Sequence, residues 1–308
     1  MIRPTDESTI LVPGPWTHRT VRANGIALHV AELGTGPLVL LLHGFPQFWW
    51  TWSQQLIDLA DAGYHAVAVD LRGFGASDKP PRGYDLPTLA EDVAGLVVSL
   101  GERDAMIVGN DLGGLVAWSV ATVEPAVVRS IAVLGAPHPL RVRRAVAIDP
   151  WGQGRALRFA LSTFQLPRLP ERRLTRDSRY VAALFDRWSG PAWLESPSYA
   201  QDVERYAESL RVSQAAHCAL EYFRWAFRSV PRPDGRRAAA RLLAGVDVPV
   251  LQLHGAVDAC LLVSTAQGSG RYVRGQYEWH LLPGVGHFPQ DEAPERVSSE
   301  LIRWAKIG

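Results

Sequence analysis

Residues Val108-Gly109-Asn110-Asp111-Leu112-Gly113-Gly114 place a carboxylate inside a glycine-rich turn that follows an apolar run. Small residues on both sides let a strand turn sharply into a helix and lift the residue at the tip to the end of the sheet. The type of that residue decides the chemistry. A serine alkoxide attacks carbonyl carbon. A carboxylate attacking an ester or amide gives a labile anhydride, whereas attack on strained or activated sp3 carbon gives an ordinary ester that water can later cleave. Asp111 therefore points to carbon–oxygen or carbon–halogen bonds at sp3 carbon.

An ester on Asp111 has to be resolved, which requires a base for water. His287, in Gly286-His287-Phe288 after the last strand-like run, suits that task because an ordinary imidazole titrates at about 6.5. Asp258, in Gly255-Ala256-Val257-Asp258, is expected to hold its tautomer and to stabilise the imidazolium. The order Asp111, Asp258, His287 runs nucleophile, acid, base. The loop His43-Gly44-Phe45-Pro46 also follows an apolar run. The backbone N–H groups of Phe45 and Leu112 are the candidate oxyanion donors, and His43 is expected to orient that loop.

The elements that must position these residues alternate. Val21 to Glu32 holds an Asn24-Gly25 hairpin signal. Leu38 to Leu42, His65 to Val69, Ala105 to Val108 and Ser130 to Leu134 read as strands buried on both faces. Helical periodicity covers Phe48 to Ala60, Leu86 to Leu100 and Leu112 to Thr122. This alternation predicts an α/β fold with a mostly parallel sheet. From Pro137 to Arg241 the spacing offers helix-like runs and no convincing strand. Strand signals resume at Val248 to Leu253 and Tyr277 to Leu281, and an amphipathic helix covers Pro294 to Ala305. The expected division is a core of residues 1–136, a helical cap of 137–241, and the rest of the core at 242–308.

These four loops and turns, with Asp70-Leu71-Arg72-Gly73-Phe74-Gly75-Ala76-Ser77 as a fifth, resemble the α/β-hydrolase fold epoxide hydrolases of the bacterial, soluble type. The resemblance runs from the Asn24-Gly25 hairpin to the last helix. It implies hydrolysis of epoxides to vicinal diols through an ester on Asp111, with no cofactor and no metal. It also implies two cap tyrosines that protonate the ring oxygen. Here the sequence departs: Phe223 occupies the usual tyrosine position in Leu220-Glu221-Tyr222-Phe223-Arg224-Trp225, and Leu157 to Gln165 contains no tyrosine. Tyr222 is the acid expected, with Tyr206 and Tyr180 in reserve. Trp50, Tyr206 and Phe223 are expected to contact substrate. Asn110 stands where the family often has His.

Two other functions stay open. Haloalkane or haloacid dehalogenases share the aspartate nucleophile, although Leu112 and Phe45 carry no side-chain N–H for a halide. A ligand-binding relative with little turnover is the second. The net charge of +1 gives no sign of nucleic acid or of an anionic membrane surface. The arginines Arg141, Arg143, Arg144, Arg172, Arg173, Arg236 and Arg237 read as a solvated helical surface. No apolar run approaches the roughly 20 residues of a membrane span. Cys218 and Cys260 read as reduced thiols of a cytoplasmic protein, and no His/Cys/carboxylate cluster has metal-ligand spacing. A homodimer through the cap or a sheet edge is compatible with the sequence.

Overall fold

The computed structural model describes residues 5–307. Eight strands build one sheet: β1 (Thr17–Ala23), β2 (Ile26–Leu33), β3 (Leu38–Leu42), β4 (His65–Val69), β5 (Ala105–Asn110), β6 (Val128–Leu134), β7 (Val250–Gly255) and β8 (Tyr277–Leu282). Their order is β1-β2-β4-β3-β5-β6-β7-β8. The β1–β2 hairpin closes through Asn24 and Gly25, both at positive φ, so that Ala23 pairs Ile26. From β4 to β8 every neighbouring pair is parallel. All five residues of β3 are buried, which is why that run lacks polar alternation. This makes the protein an α/β-hydrolase-type fold with a mostly parallel central sheet.

Four long helices cover the sheet: α1 (Ser53–Asp61), α2 (Leu86–Ser99), α3 (Asp111–Val123) and, at the end of the chain, α15 (Pro294–Ala305). Between β6 and β7 lie α4 (Pro139–Ile148), α5 (Gln153–Ala156), α6 (Arg158–Leu161), α7 (Leu169–Arg176), α8 (Ser178–Trp188), α9 (Pro191–Leu194), α10 (Tyr199–Arg211), α11 (Ala215–Arg228) and α12 (Pro233–Leu242). No strand interrupts them among the described residues. Two short helices, α13 (Val263–Ala266) and α14 (Pro289–Glu292), follow β7 and β8.

Two boundaries differ from the periodicity. The run from Phe48 is not one helix: Trp49–Trp52 forms a 3-10 turn and α1 begins at Ser53. The Trp49 backbone N–H donates to Asp70 Oδ1 and its indole N–H to the Ile10 carbonyl, which fixes the turn independently of the helix. Strand β7 begins at Val250 rather than Val248, because Pro249 has no N–H for a ladder.

Candidate active site

Strand β5 hands directly to α3 at Asp111, whose φ is 45°, a conformation non-glycine residues rarely adopt. The turn is that tight because the strand and helix touch. A Cβ on Gly109 would lie 2.3 Å from the Gly113 carbonyl carbon, and one on Gly113 would lie 2.2 Å from the Leu42 oxygen. The Asn110 side chain donates to the carbonyls of Leu134 (3.1 Å) and His287 (3.0 Å), tying the turn to β6 and to the loop after β8.

Around Asp111 the residues of three other strand ends converge. The Phe45 N–H donates to Asp111 Oδ2 at 3.1 Å. His287 Nε2 lies 3.5 Å from Asp111 Oδ1, an ion-pair contact rather than a hydrogen bond. On the far side of the ring, Nδ1 donates to Asp258 Oδ2 at 2.9 Å. Asp258 Oδ1 accepts the N–H groups of Cys260 (2.8 Å) and Leu261 (2.9 Å), which fixes the carboxylate. The Leu112 N–H belongs to the first turn of α3 and has no intrahelical acceptor. His43 is held by its Nδ1–H on the Gly44 carbonyl (2.9 Å), while its Nε2 accepts the Leu71 N–H (3.1 Å).

Electrostatics follow from burial and pairing. Burial opposes a charge on His287, but Asp258 with the neighbouring Cys260 and Asp111 outweighs it and holds the imidazole well above its ordinary value. Burial likewise opposes ionisation of Asp258, and His287 with the backbone N–H groups outweighs it, so the carboxyl is held below the usual range. Both shifts favour the charged forms of the His287–Asp258 pair.

The wall opposite is aromatic. Phe223 packs edge-on against Phe45 (5.1 Å between ring centroids) and Phe164 (5.3 Å). Phe159 joins Phe164 (5.1 Å) to Trp188 (4.9 Å), and Trp188 reaches the His287 ring at 5.9 Å. Phe223 is therefore beside the loop that carries Phe45.

Three expectations need correction. Tyr222 does not face Asp111: its hydroxyl donates to the Arg72 carbonyl at 2.6 Å, and its ring packs against Phe74 and Tyr84. One helical position separates Tyr222 from Phe223 and turns the side chain by roughly 100°, away from the wall. Tyr206 is fully buried, with its hydroxyl on Asp291 Oδ1 at 2.7 Å. Trp50 donates its indole N–H to Asp202 (3.0 Å) and is covered by the Arg205 guanidinium at 4.1 Å, so it ties α10 to the core instead of lining a pocket. Tyr180 lies against Arg173. The other tyrosines sit elsewhere too: Tyr84, Tyr199 and Tyr277 are bonded to Pro80, Asp186 and Gln252, Tyr272 stacks on His138, and Tyr64 precedes the start of β4.

Two acidic residues escaped the sequence reading. Glu292 accepts three backbone N–H groups: Gly190 (2.7 Å) and Gly286 (2.6 Å) on Oε2, Phe288 (2.9 Å) on Oε1. The His287 N–H donates to the Trp188 carbonyl at 2.9 Å. The histidine loop is thus bonded to the end of α8. Asp291, half-buried beneath the buried side chains of Gln47, Thr51, Tyr206 and Gln290, accepts Gln47, Thr51 and Gln290 on Oδ2 besides Tyr206 on Oδ1. The only local signal was a proline-started turn carrying two carboxylates after His287.

Comparison with known proteins agrees with this geometry. The family model of the α/β hydrolase fold matches residues 37–294. Epoxide hydrolase 3 of Xenopus tropicalis is 33% identical over 291 residues, covering 92% of this chain and 75% of the relative. Epoxide hydrolase A of Mycobacterium tuberculosis is 29% identical, covering 94% and 98%. The crystal structure of an epoxide hydrolase from Vigna radiata superposes with a TM-score of 0.80 at 28% identity, over 96% of this chain and 98% of that one. The epoxide hydrolase from an endophytic Streptomyces also gives 0.80, at 29% identity over 96% of both chains. The chain belongs to the α/β-hydrolase fold family, in its epoxide hydrolase branch. No described helix is long and apolar enough to cross a membrane.

Proposed function

We propose that this protein hydrolyses epoxides to vicinal diols. The observation that carries the reading is a carboxylate, not a hydroxyl, at the strained tip of the turn, with an imidazole 3.5 Å away on one oxygen and a backbone N–H on the other. Asp111 attacks a ring carbon in line with the carbon–oxygen bond, which breaks and leaves an alkoxide. Water protonates the alkoxide, and the hydroxide so formed takes the proton that His287 holds less tightly once the ester has removed one negative charge beside it. His287 is then neutral and takes a proton from the water that attacks the ester carbonyl. The tetrahedral oxyanion faces the N–H groups of Phe45 and Leu112, each such donor typically worth about 3 kcal/mol. Collapse returns the Asp111 carboxylate and releases the diol. Residues 137–241 act as the cap, and Phe223 with its aromatic neighbours contacts the substrate. A cytoplasmic location is consistent with two unpaired cysteines.

The test is diol formation from styrene oxide and related epoxides. Asp111→Asn should abolish it. His287→Gln should accumulate the ester, seen as a protein mass increased by one substrate. A His287→Gln protein with full turnover and no adduct would remove Asp111 as nucleophile.

One observation favours a second reading. The aromatic wall carries no phenol, and a departing halide needs no proton. Halide release from chloro- and bromoalkanes, exceeding diol formation, would establish displacement of halide instead.

A further inference from the structure

The net charge of +1 conceals a one-sided surface on the cap. Helix α4 exposes Arg143, Arg144, Ala147 and Ile148, two pairs spaced by four residues and therefore one face. The chain then turns at Asp149-Pro150-Trp151-Gly152. The Asp149 carboxylate accepts the N–H groups of Gly152 (2.8 Å) and Gln153 (3.2 Å), which fixes the turn and occupies the acid present there. Trp151, at its tip, is 87% exposed and Ile148 66%. Exposed Arg155 and Arg158 follow on α5 and α6. Helix α12 packs beside α4 and exposes Arg236, Arg237 and Arg241.

Among the described residues none of these seven arginines has a carboxylate within ion-pair distance, whereas the adjacent Arg232 is paired with Asp234. Arg141 differs again, donating inward to the carbonyls of Thr265 and Ser264. An indole and an aliphatic side chain presented to water, with unpaired arginines before them on α4 and after them on α5 and α6, match the interfacial zone of a bilayer with anionic headgroups. Rings such as Trp151 settle there at headgroup level, and each arginine near the surface adds attraction. A second copy of the same face is disfavoured because it would bring like charges together. A nucleic acid would engage the arginines and leave Ile148 without a partner.

We propose that this cap face docks the protein on an anionic lipid surface, with Trp151 and Ile148 seated among the headgroups and the arginines on phosphates. The docking does not depend on which electrophile Asp111 attacks. It does border the aromatic cluster beside Phe45, since α6 exposes Arg158 and packs Phe159 against Phe223.

The experiment is co-flotation of the full chain with vesicles of phosphatidylcholine alone, or with about one third phosphatidylserine, at about 0.15 M salt. Binding to the anionic vesicles only is expected. Arg143→Glu/Arg144→Glu should lower the partition coefficient by roughly 25-fold or more, and Trp151→Ser should also weaken it. Both variants should keep the wild-type melting temperature and turnover of a water-soluble substrate, because the changed side chains are exposed. No flotation, equal flotation with neutral vesicles, or flotation unaffected by these substitutions overturns the proposal. So does a concentration-dependent dimer that Trp151→Ser dissociates, which would assign the face to a second copy.

Discussion

At the scale of single residues, the acid facing Asp111 separates this chain from what its resemblance implied. Tyr222 supports structure by binding the Arg72 carbonyl, so Tyr222→Phe should leave ester formation unchanged while costing about 1–2 kcal/mol in unfolding free energy. Phe223 faces the oxyanion loop, so Phe223→Tyr should install the missing phenol and raise the single-turnover rate of ester formation roughly tenfold or more. A 100-fold loss in Tyr222→Phe would restore that residue as acid. The upward shift of His287 gives a second expectation. Ester formation does not require neutral His287, and ester hydrolysis does. As pH falls, kcat should therefore decline before kcat/KM, and burst kinetics should show the ester building up on the acid side. A parallel decline of both would place a neutral His287 in the first step.

At the scale of elements, the decisive contact is the one between the loop after β8 and the end of α8. Glu292 gathers N–H groups from both, and the Trp188 carbonyl takes the N–H of the base itself. Glu292→Gln replaces one accepting oxygen with a donor opposite the Phe288 N–H, at a cost of about 1–3 kcal/mol. We expect a roughly tenfold fall in kcat with little change in KM, and more ester at steady state. A change in KM alone would confine Glu292 to substrate binding. These contacts also mark how far the sequence could be read. Asp111, Asp258 and His287 announce themselves because each follows a strand within a short glycine-containing loop, a local signal. The direction of Tyr222, the placement of Trp50 and the task of Glu292 depend on how α8, α10 and α11 seat on the core. Periodicity gives each helix a buried face but not the neighbour that buries it.

At the scale of the whole molecule, Asp291 joins the oxyanion loop, the base loop and α10 in one buried cluster. Burial pushes its carboxyl up to about 7, against the hydrogen bonds from Tyr206, Thr51 and Gln47 and with Asp202 adding repulsion. The folded value lies above the unfolded one of about 3.9, so the folded state holds the extra proton. This contribution to stability is fully present below about pH 4 and is lost as pH rises through about 7. Asp291→Asn should flatten that stretch of the stability curve, read as melting temperature against pH. An unaltered slope would show that Asp291 is ionised throughout. The mostly parallel sheet and its buried strands were legible from runs such as Leu38 to Leu42, because a strand covered on both faces is apolar without interruption. The cluster around Asp291 was not, since its members come from Gln47, Thr51, Tyr206 and Gln290, which nothing in the sequence brings together.

The bond between Trp188 and His287 also separates the two half-reactions in their tolerance of substrate size. Asp111 and the Phe45 N–H both belong to the core, so the nucleophile and its donor in the attack that forms the ester do not depend on the end of α8. His287 is held by the Trp188 carbonyl at the end of α8. A substrate bulky enough to prop the cap would be captured and then left unhydrolysed, and for such molecules the enzyme becomes a single-turnover scavenger, inactivated by its own first step.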